Sequence, residues 1–298
     1  MLECVVNVSE GRDQAAIDAL EAAAGPTLLD VHTDADHNRT VLTLAGSGDD
    51  TGSGDDTGEL EEAVRAVAAE AVRRLDLRRH TGAHPRLGVV DVVPFVPLGD
   101  FTLAAAIEAR DRFAAWAAKT LGVPCFLYGP ERTLPEIRRR AFRTLAPDTG
   151  PRAPHPSAGA MCVGARPLLV AYNVWLAAGT PVELAREIAA RLRGPGVRAL
   201  GLDVGGRAQV SFNLIDPAVA GPDRVYDAVA ALAPAERAEL VGLLPSSVLD
   251  AVPAERWEAL DLDPARTIER RLSIRPTPRS PDGERGCAGG GDGAAHAR

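Results

Sequence analysis

The sequence predicts an α/β fold of two subdomains, each a mixed β-sheet covered by helices. Two observations predict it: strand-like and helix-like stretches alternate along the chain, and the strand-helix-strand-strand order of the first part recurs in the second. At 298 residues and 46% hydrophobic content the chain can bury one large core or two of ordinary domain size. Ferredoxin-like repeats are the expected architecture.

The first strand is LECVVNV at 2 to 8, short, apolar and β-branched. Ser9-Glu10-Gly11 then turns the chain into a helix from about Gln14 to Ala24. TLLDVH at 27 to 32 and RTVLTLA at 39 to 45 read as two strands joined by the polar stretch Thr33 to Asn38, a plausible hairpin. From Glu59 to Leu75, apolar Leu60, Val64, Val67, Ala68, Ala71 and Leu75 recur at three and four, the period of an amphipathic helix. VVDVVPFVP at 89 to 97 is strand-like, and its prolines predict an edge or an irregular end. A helix over 101 to 121 and a strand over 123 to 128 follow.

The stretch from Pro130 to Gly164 is proline-rich without a clear period, and it reads as a connector laid over the surface. The subdomain boundary is placed at its end. The second unit reads as strand 167 to 176, helix 181 to 193, two strands within 197 to 215, and helices over about 223 to 232, 234 to 242 and 246 to 251. The organisation expected is therefore a first subdomain over 1–165 including the connector, a second over 166–274, and a disordered tail rich in Gly, Pro and Arg over 275–298.

A net charge of −8 argues against broad electrostatic capture of nucleic acid or acidic lipid, so a small-molecule substrate is expected. Cysteines at 4, 125, 162 and 287 are widely spaced without a CxxC pair, which suggests neither a zinc cluster nor a disulfide framework and fits a reducing, cytoplasmic setting. The N-terminus has no basic segment followed by an apolar stretch, and no apolar run approaches membrane-spanning length; no export and no membrane are expected. The tandem GSGDDT at 46 to 51 and 52 to 57 lacks the lysine and spacing of a phosphate loop and the ligand spacing of a calcium loop, and reads as a tolerated loop expansion.

Chemistry concentrates in RRHTGAHPRLGVVD at 78 to 91. His80 and His84 flank Gly82, and Pro85 and Arg86 follow. A spacing of four would pair two metal ligands on a helix, but Gly82 and Pro85 disfavour a helix and no third ligand joins them, so no metal is expected. A histidine titrating near neutrality suits proton transfer. The local sequence leaves open the alternative that both rings hydrogen-bond backbone in a structured loop.

Four separated segments together resemble the formiminotransferase domain of glutamate formimidoyltransferases: ECVVNVSEGRD at 3 to 13, LLDVHTDADHNRTV at 28 to 41, RRHTGAHPRLGVVDVVPF at 78 to 95 and GLDVGGRAQVSFNLID at 201 to 216. ELVGLLP at 239 to 245 agrees as well. The resemblance implies transfer of a formimino group from N-formimino-L-glutamate to N5 of tetrahydrofolate, the co-substrate, by a metal-free homodimer. It makes His84, in the G-x-H-P-R segment, the catalytic base. It assigns folate contacts to about Gly150 to Gly159 and Leu192 to Gly201, with Gly150, Pro151, Ser157, Gly159 and Gly201 as candidates. His80 is a candidate for orienting His84 or binding substrate. Arg39, Arg86 and Arg166 are candidates for the substrate carboxylates, each with a structural ion pair as the alternative, and Asn7 and Glu10 are expected to line the same cleft.

Departures from the pattern are Ala83, where the animal enzymes have glutamate, His32, where they have aspartate, and a 150–159 stretch without the family's aromatics. No cyclodeaminase domain is read within the 298 residues. Two other readings are carried: an ATP-using 5-formyltetrahydrofolate cycloligase, and a folate-binding protein without catalysis.

Overall fold

The computed structural model describes residues 1–46 and 58–274. The tandem loop after Gly46 and the tail from Arg275 lie outside the described residues. In chain order, the first sheet collects β1 (Leu2–Val8), β2 (Leu28–Asp34), β3 (Arg39–Gly46), β4 (Val90–Pro97), β5 (Cys125–Tyr128) and β6 (Met161–Ala165). Between them run α1 (Gln14–Ala24), α2 (Glu59–Arg74), α3 (Leu103–Trp116) and α4 (Leu134–Arg140). The second sheet collects β7 (Val170–Leu176), β8 (Val197–Val204), β9 (Arg207–Leu214) and β10 (Ala235–Val241), with α5 (Val182–Leu192) and α6 (Pro222–Ala230) interleaved; α7 (Ser246–Asp250) and α8 (Ile268–Ser273) close the described chain.

The strand order is β2-β3-β1-β4-β6-β5 in one sheet and β10-β7-β9-β8 in the other. In each, the first strand of a β-α-β-β-α-β run lies beside the last and the third, so the ferredoxin-like unit is built twice. β6 and β5 extend the first by parallel pairing onto β4.

Alternation along the strands sorts the residues. On β1, Leu2, Cys4, Val6 and Val8 join the apolar core with residues of α1, α2 and α3. Fully burying one such Leu or Val side chain contributes about 1.5–3 kcal/mol. The odd-numbered Glu3 and Asn7 therefore face the other way. In the second sheet Val210, Phe212 and Leu214 of β9 join the core with α5 and α6, which turns Gln209 and Ser211 to the opposite face. The two polar faces are tied by side chains: His37 to Gln209 at 3.1 Å, His32 to Glu239 at 3.7 Å and Arg271 to Asp30 at 3.3 Å. A small apolar cluster of Leu29, Ala45, Leu243 and Ile268 packs beside them. The site is built in this polar layer.

Three expectations are corrected. Residues 234–242 do not form a helix: β10 pairs antiparallel with β7, from Ala235 opposite Leu176 to Val241 opposite Ala171. AERAELV has helix-favouring composition, but the exposed edge of β7 and burial of Ala238 and Leu240 outweigh it. The connector over 130–164 is not only surface chain, because it contains α4 and β6, a fully buried strand between β4 and β5. β4 is interior rather than an edge. Its pairing with β1 runs Leu2–Pro97, Glu3–Val96, Cys4–Phe95 and resumes at Asn7–Val92, so the ladder is interrupted around Pro94, which has no N–H to give.

One glycine is dictated by packing against a helix. A Cβ at Gly201 on β8 would lie 2.3 Å from the Arg186 nitrogen and 2.4 Å from the Ala185 carbonyl carbon of α5. Gly201→Ala is expected to destabilise the protein by at least ~1–3 kcal/mol through overpacking against backbone, read as a lowered midpoint in denaturant unfolding with the slope retained.

Candidate active site

Three segments far apart in sequence converge at the open ends of β1 and β3. In the turn after β1, Glu10 Oε1 accepts from the backbone nitrogens of Gly11, Arg12 and Asp13 at 2.8–2.9 Å, and Asp13 caps α1 by accepting from Ala15 and Ala16. In the β2–β3 turn, Asn38 has a left-handed φ of 50°. Its side chain accepts from Gly11 N at 2.8 Å and donates to Thr81 O at 2.9 Å. Gly82 lets the 78–88 loop lie against that turn, since a Cβ there would lie 2.3 Å from His37 O. His80 Nε2 donates to Asn38 O at 2.8 Å, while His80 Nδ1 is buried without a partner among the described residues. Arg86 donates to Gly82 O at 3.1 Å and His84 O at 2.7 Å, bracing the loop around His84 from within. Below it, Asp91 accepts from Leu87 N at 2.7 Å and pairs with Arg138 of α4 at 2.5 Å.

His84 is half-buried at the end of this scaffold. Its Nδ1 lies 2.7 Å from Pro85 O, so Nδ1–H donates there and Nε2 is the basic nitrogen of the ring. Arg39 Nη1 approaches within 2.6 Å of both ring nitrogens. With Nδ1 protonated only Nε2 has a lone pair to accept from Arg39 Nη1, and the approach to Nδ1 brings the guanidinium to bear on the ring as a charge. Asn7 fixes Arg39 from behind, its Oδ1 accepting from Arg39 Nε at 3.0 Å and from Nη2. Burial, then the positive charges of Arg39 and Arg138, hold the His84 imidazole well below the usual histidine range, so the ring is neutral at cellular pH. Burial brings Arg39 itself down to about 10, which leaves it charged.

A cavity of about 650 Å³ opens between β2 and β10, walled by Asp30, His32, Arg237, Glu239, Asp261 and Arg266 among others. His84 is not in its wall. His32 and Asp34 point to the same face of β2, and Asp34 pairs with Arg39, which sets His32 about 7 Å along the strand from the Arg39 pair. Burial lowers the His32 pKa while Glu239 raises it. Among the described residues no group of three His, Cys, Asp or Glu is arranged to hold a metal ion, and no helix is long and apolar enough to cross a membrane.

A model of the formiminotransferase domain, N-terminal subdomain, matches residues 1–166. The chain belongs to the formiminotransferase family. A glutamate formimidoyltransferase of Streptococcus pyogenes is 38% identical over 242 residues, covering 72% of this chain and 78% of that protein. One from Thermoplasma acidophilum is 30% identical, covering 91% of this chain and 97% of its own length. The formimidoyltransferase-cyclodeaminase of Sus scrofa is 36% identical over 84% of this chain, which spans 51% of that relative.

Of the candidate residues named from the sequence, the fold joins His84 to Arg39 and Arg39 to Asn7. His80, Arg86 and Glu10 surround them, but their side chains are spent on backbone. Ser157 and Gly159 back the loop, through Ser157 O accepting from Leu77 N and the Gly159–Gly88 bridge. Others lie elsewhere. Gly150 packs against Ala118 and Pro124 beside the α3–β5 connection, followed by exposed Pro151, and Gly201 is under α5. Arg166 follows β6, with its backbone nitrogen on Phe95 O and its charge acting on Glu3, four strand positions or about 13 Å from Asn7. Sequence reasoning passed over His37, Gln209, Asp91 and Arg138. The signal available was a polar residue inside an apolar strand, as at Asp91.

Glu3 is 4% exposed, and burial pushes its carboxyl up to about 7, with Arg166 offsetting only part of the effect. A carboxyl with a raised pKa in the folded state lends full stability below its ordinary 4.5 and loses it as pH rises through about 7. Glu3→Gln is therefore expected to stabilise the protein at pH 8 by up to about 3 kcal/mol and to change little at pH 4, as read from thermal midpoints at the two pH values.

Proposed function

We propose that this chain is a glutamate formimidoyltransferase, moving the formimino group of N-formimino-L-glutamate to N5 of tetrahydrofolate with His84 as general base. The observation that carries the reading is the neutral His84 ring, its Nδ1–H held by Pro85 O and the lone pair of its Nε2 facing Arg39 Nη1, at the polar layer between two sheets. The N5 lone pair attacks the amidine carbon to form a C–N5 bond. His84 Nε2 takes the N5 proton, giving a tetrahedral carbon that bears three nitrogens: N5, the former imino nitrogen as NH2 and the glutamate nitrogen. The C–N bond to glutamate then breaks, and the imidazolium returns the proton to the departing nitrogen. One ring thus serves as base and acid, and no net proton is left on the enzyme.

Arg39 works on His84 rather than as a free carboxylate clamp, because Asn7 occupies two of its nitrogens. Asn7 and Arg86 are positioning residues in this scheme, and His80 and Glu10 hold the loops. The mixed-charge cavity along β2 and β10 offers Arg237, stacked on Trp175, for a substrate carboxylate and acidic groups for the cationic amidine, while Arg266 is held by Asp261 and by the Leu240 and Gly242 carbonyls. Tetrahydrofolate is the co-substrate, and a cytoplasmic homodimer is the working assembly.

The test is acid conversion of product to 5,10-methenyltetrahydrofolate, followed by absorbance, with purified protein, tetrahydrofolate and N-formimino-L-glutamate. Steady product formation that requires both substrates supports the transfer. Product only from 5-formyltetrahydrofolate and ATP would replace it with the cycloligase, and no product from either mixture would leave a folate-binding protein.

A further inference from the structure

We propose that Gln209 and His37 are positioning residues for the transfer, carrying the second sheet's hold across to the ring of His84. The inference rests on the transfer reading above. Gln209 sits on β9, which is paired on both sides, with β7 and with β8, so its backbone is fixed by two ladders. Its side chain is fully buried, and Oε1 lies 3.1 Å from His37 Nε2, which donates to it. His37 is itself 7% exposed in the β2–β3 turn, with its backbone nitrogen donating to Asp34 Oδ1 at 2.7 Å. Its carbonyl abuts Gly82, and its ring centre lies 6.1 Å from that of His84 at a tilt of 58°. Gln209 is thus the second sheet's side chain linked to the turn on which the His84 loop rests.

Folding stability does not account for this pair. Gln209 Nε2 and His37 Nδ1 are both buried without a hydrogen-bond partner among the described residues. Burying such atoms costs free energy that an apolar pair of the same shape would not. A site selected for packing alone would carry Leu and Phe here. The polar pair instead gives a directional link, which fixes the His37 ring plane and with it one wall against which His84 stands.

Four variants, Gln209→Leu, Gln209→Glu, His37→Phe and the double variant, and three readouts test the role. Gln209→Leu is expected to lower the thermal midpoint by a few degrees, because it leaves the buried His37 N–H unpaired, to lower kcat for formimino transfer about tenfold or more, and to leave KM for tetrahydrofolate within about threefold. Gln209→Glu retains the acceptor and is expected to recover most of kcat. The double variant His37→Phe with Gln209→Leu is expected to lose no more than the worse single variant, since both break one link. Independently of turnover, the Cε1–H resonance of His84 should shift or broaden in Gln209→Leu while that of His155 stays in place. Wild-type kcat in Gln209→Leu, multiplying losses in the double variant, or an unmoved His84 resonance would each overturn the positioning role. A wild type that transfers no formimino group, together with a shifted His84 resonance, would instead overturn the reaction and leave the positioning intact.

Discussion

His84→Ala is expected to lower kcat for formimino transfer by about 10²–10⁴-fold, the range that a positioned acid-base group supplies, with a thermal midpoint near that of the parent. The two halves of this expectation come from different features. His84 is half-buried, and its hydrogen bonds are to Pro85 O and the Arg39 side chain, so its loss leaves no strand or helix unpaired. The loop itself is held by Arg86, Asp91 and His80, which alanine at 84 does not touch. The chemical loss is large because the two imidazoles nearest in the loops are engaged: His37 on Gln209 and His80 on Asn38. Addition of imidazole to His84→Ala should restore part of the rate if the role is proton transfer. A variant within tenfold of the parent would remove His84 as the base.

Much of the fold is legible in the sequence because local and global preferences agree. The spacing of Leu60, Val64, Val67, Ala68 and Ala71 places α2, and these residues are the fully buried face of that helix. β1 and α1 fall on the predicted residues because the Ser9-Glu10-Gly11 turn and the Asp13 cap punctuate them. β10 is illegible for the opposite reason: AERAELV has helical composition, and only the edge offered by β7 makes it a strand. β6 is hidden because MCVGA is five residues of small apolar chain, and its partners β4 and β5 are reached by parallel pairing that leaves no local trace.

The site divides along the same line. GAHPR shows His84 because glycine and proline set a loop and a histidine is chemically conspicuous. The grouping of Arg39 with Asn7 follows from β1–β3 pairing, which places Asn7 opposite Val41 and so two residues from Arg39. His37 and Gln209 are 172 residues apart, and nothing in either segment states that one meets the other. The resemblance makes the glycines at 150, 159 and 201 candidate ligand contacts, and at Gly201 the close neighbour is the backbone of α5. A glycine required by packing and one required by a ligand look alike in a sequence.

Arg39→Gln carries the second large expected effect, because it separates two roles open to a buried arginine. If Arg39 sets the state of His84, the variant changes a pH profile. Burial is the larger cause that lowers the His84 pKa, and the Arg39 charge is the next. Removing that charge raises the pKa while burial remains, so the acid limb of kcat/KM, which reports the free enzyme, moves to higher pH. At pH 6 the variant then keeps a smaller share of its own maximal activity than the parent does, because a larger fraction of His84 is protonated and cannot accept the N5 proton. kcat at pH 8 is also expected to fall, by roughly 10–100-fold, since the ring loses the group that fixes its orientation and a misplaced base costs up to about that much. The glutamine amide can still donate to Asn7 Oδ1, which spares that buried acceptor and keeps the fold. If Arg39 instead clamps a substrate carboxylate, KM for one substrate rises tenfold or more while the acid limb stays where it was. A profile shifted upward with KM nearly constant assigns Arg39 to the base, and an unshifted profile with a raised KM assigns it to the substrate.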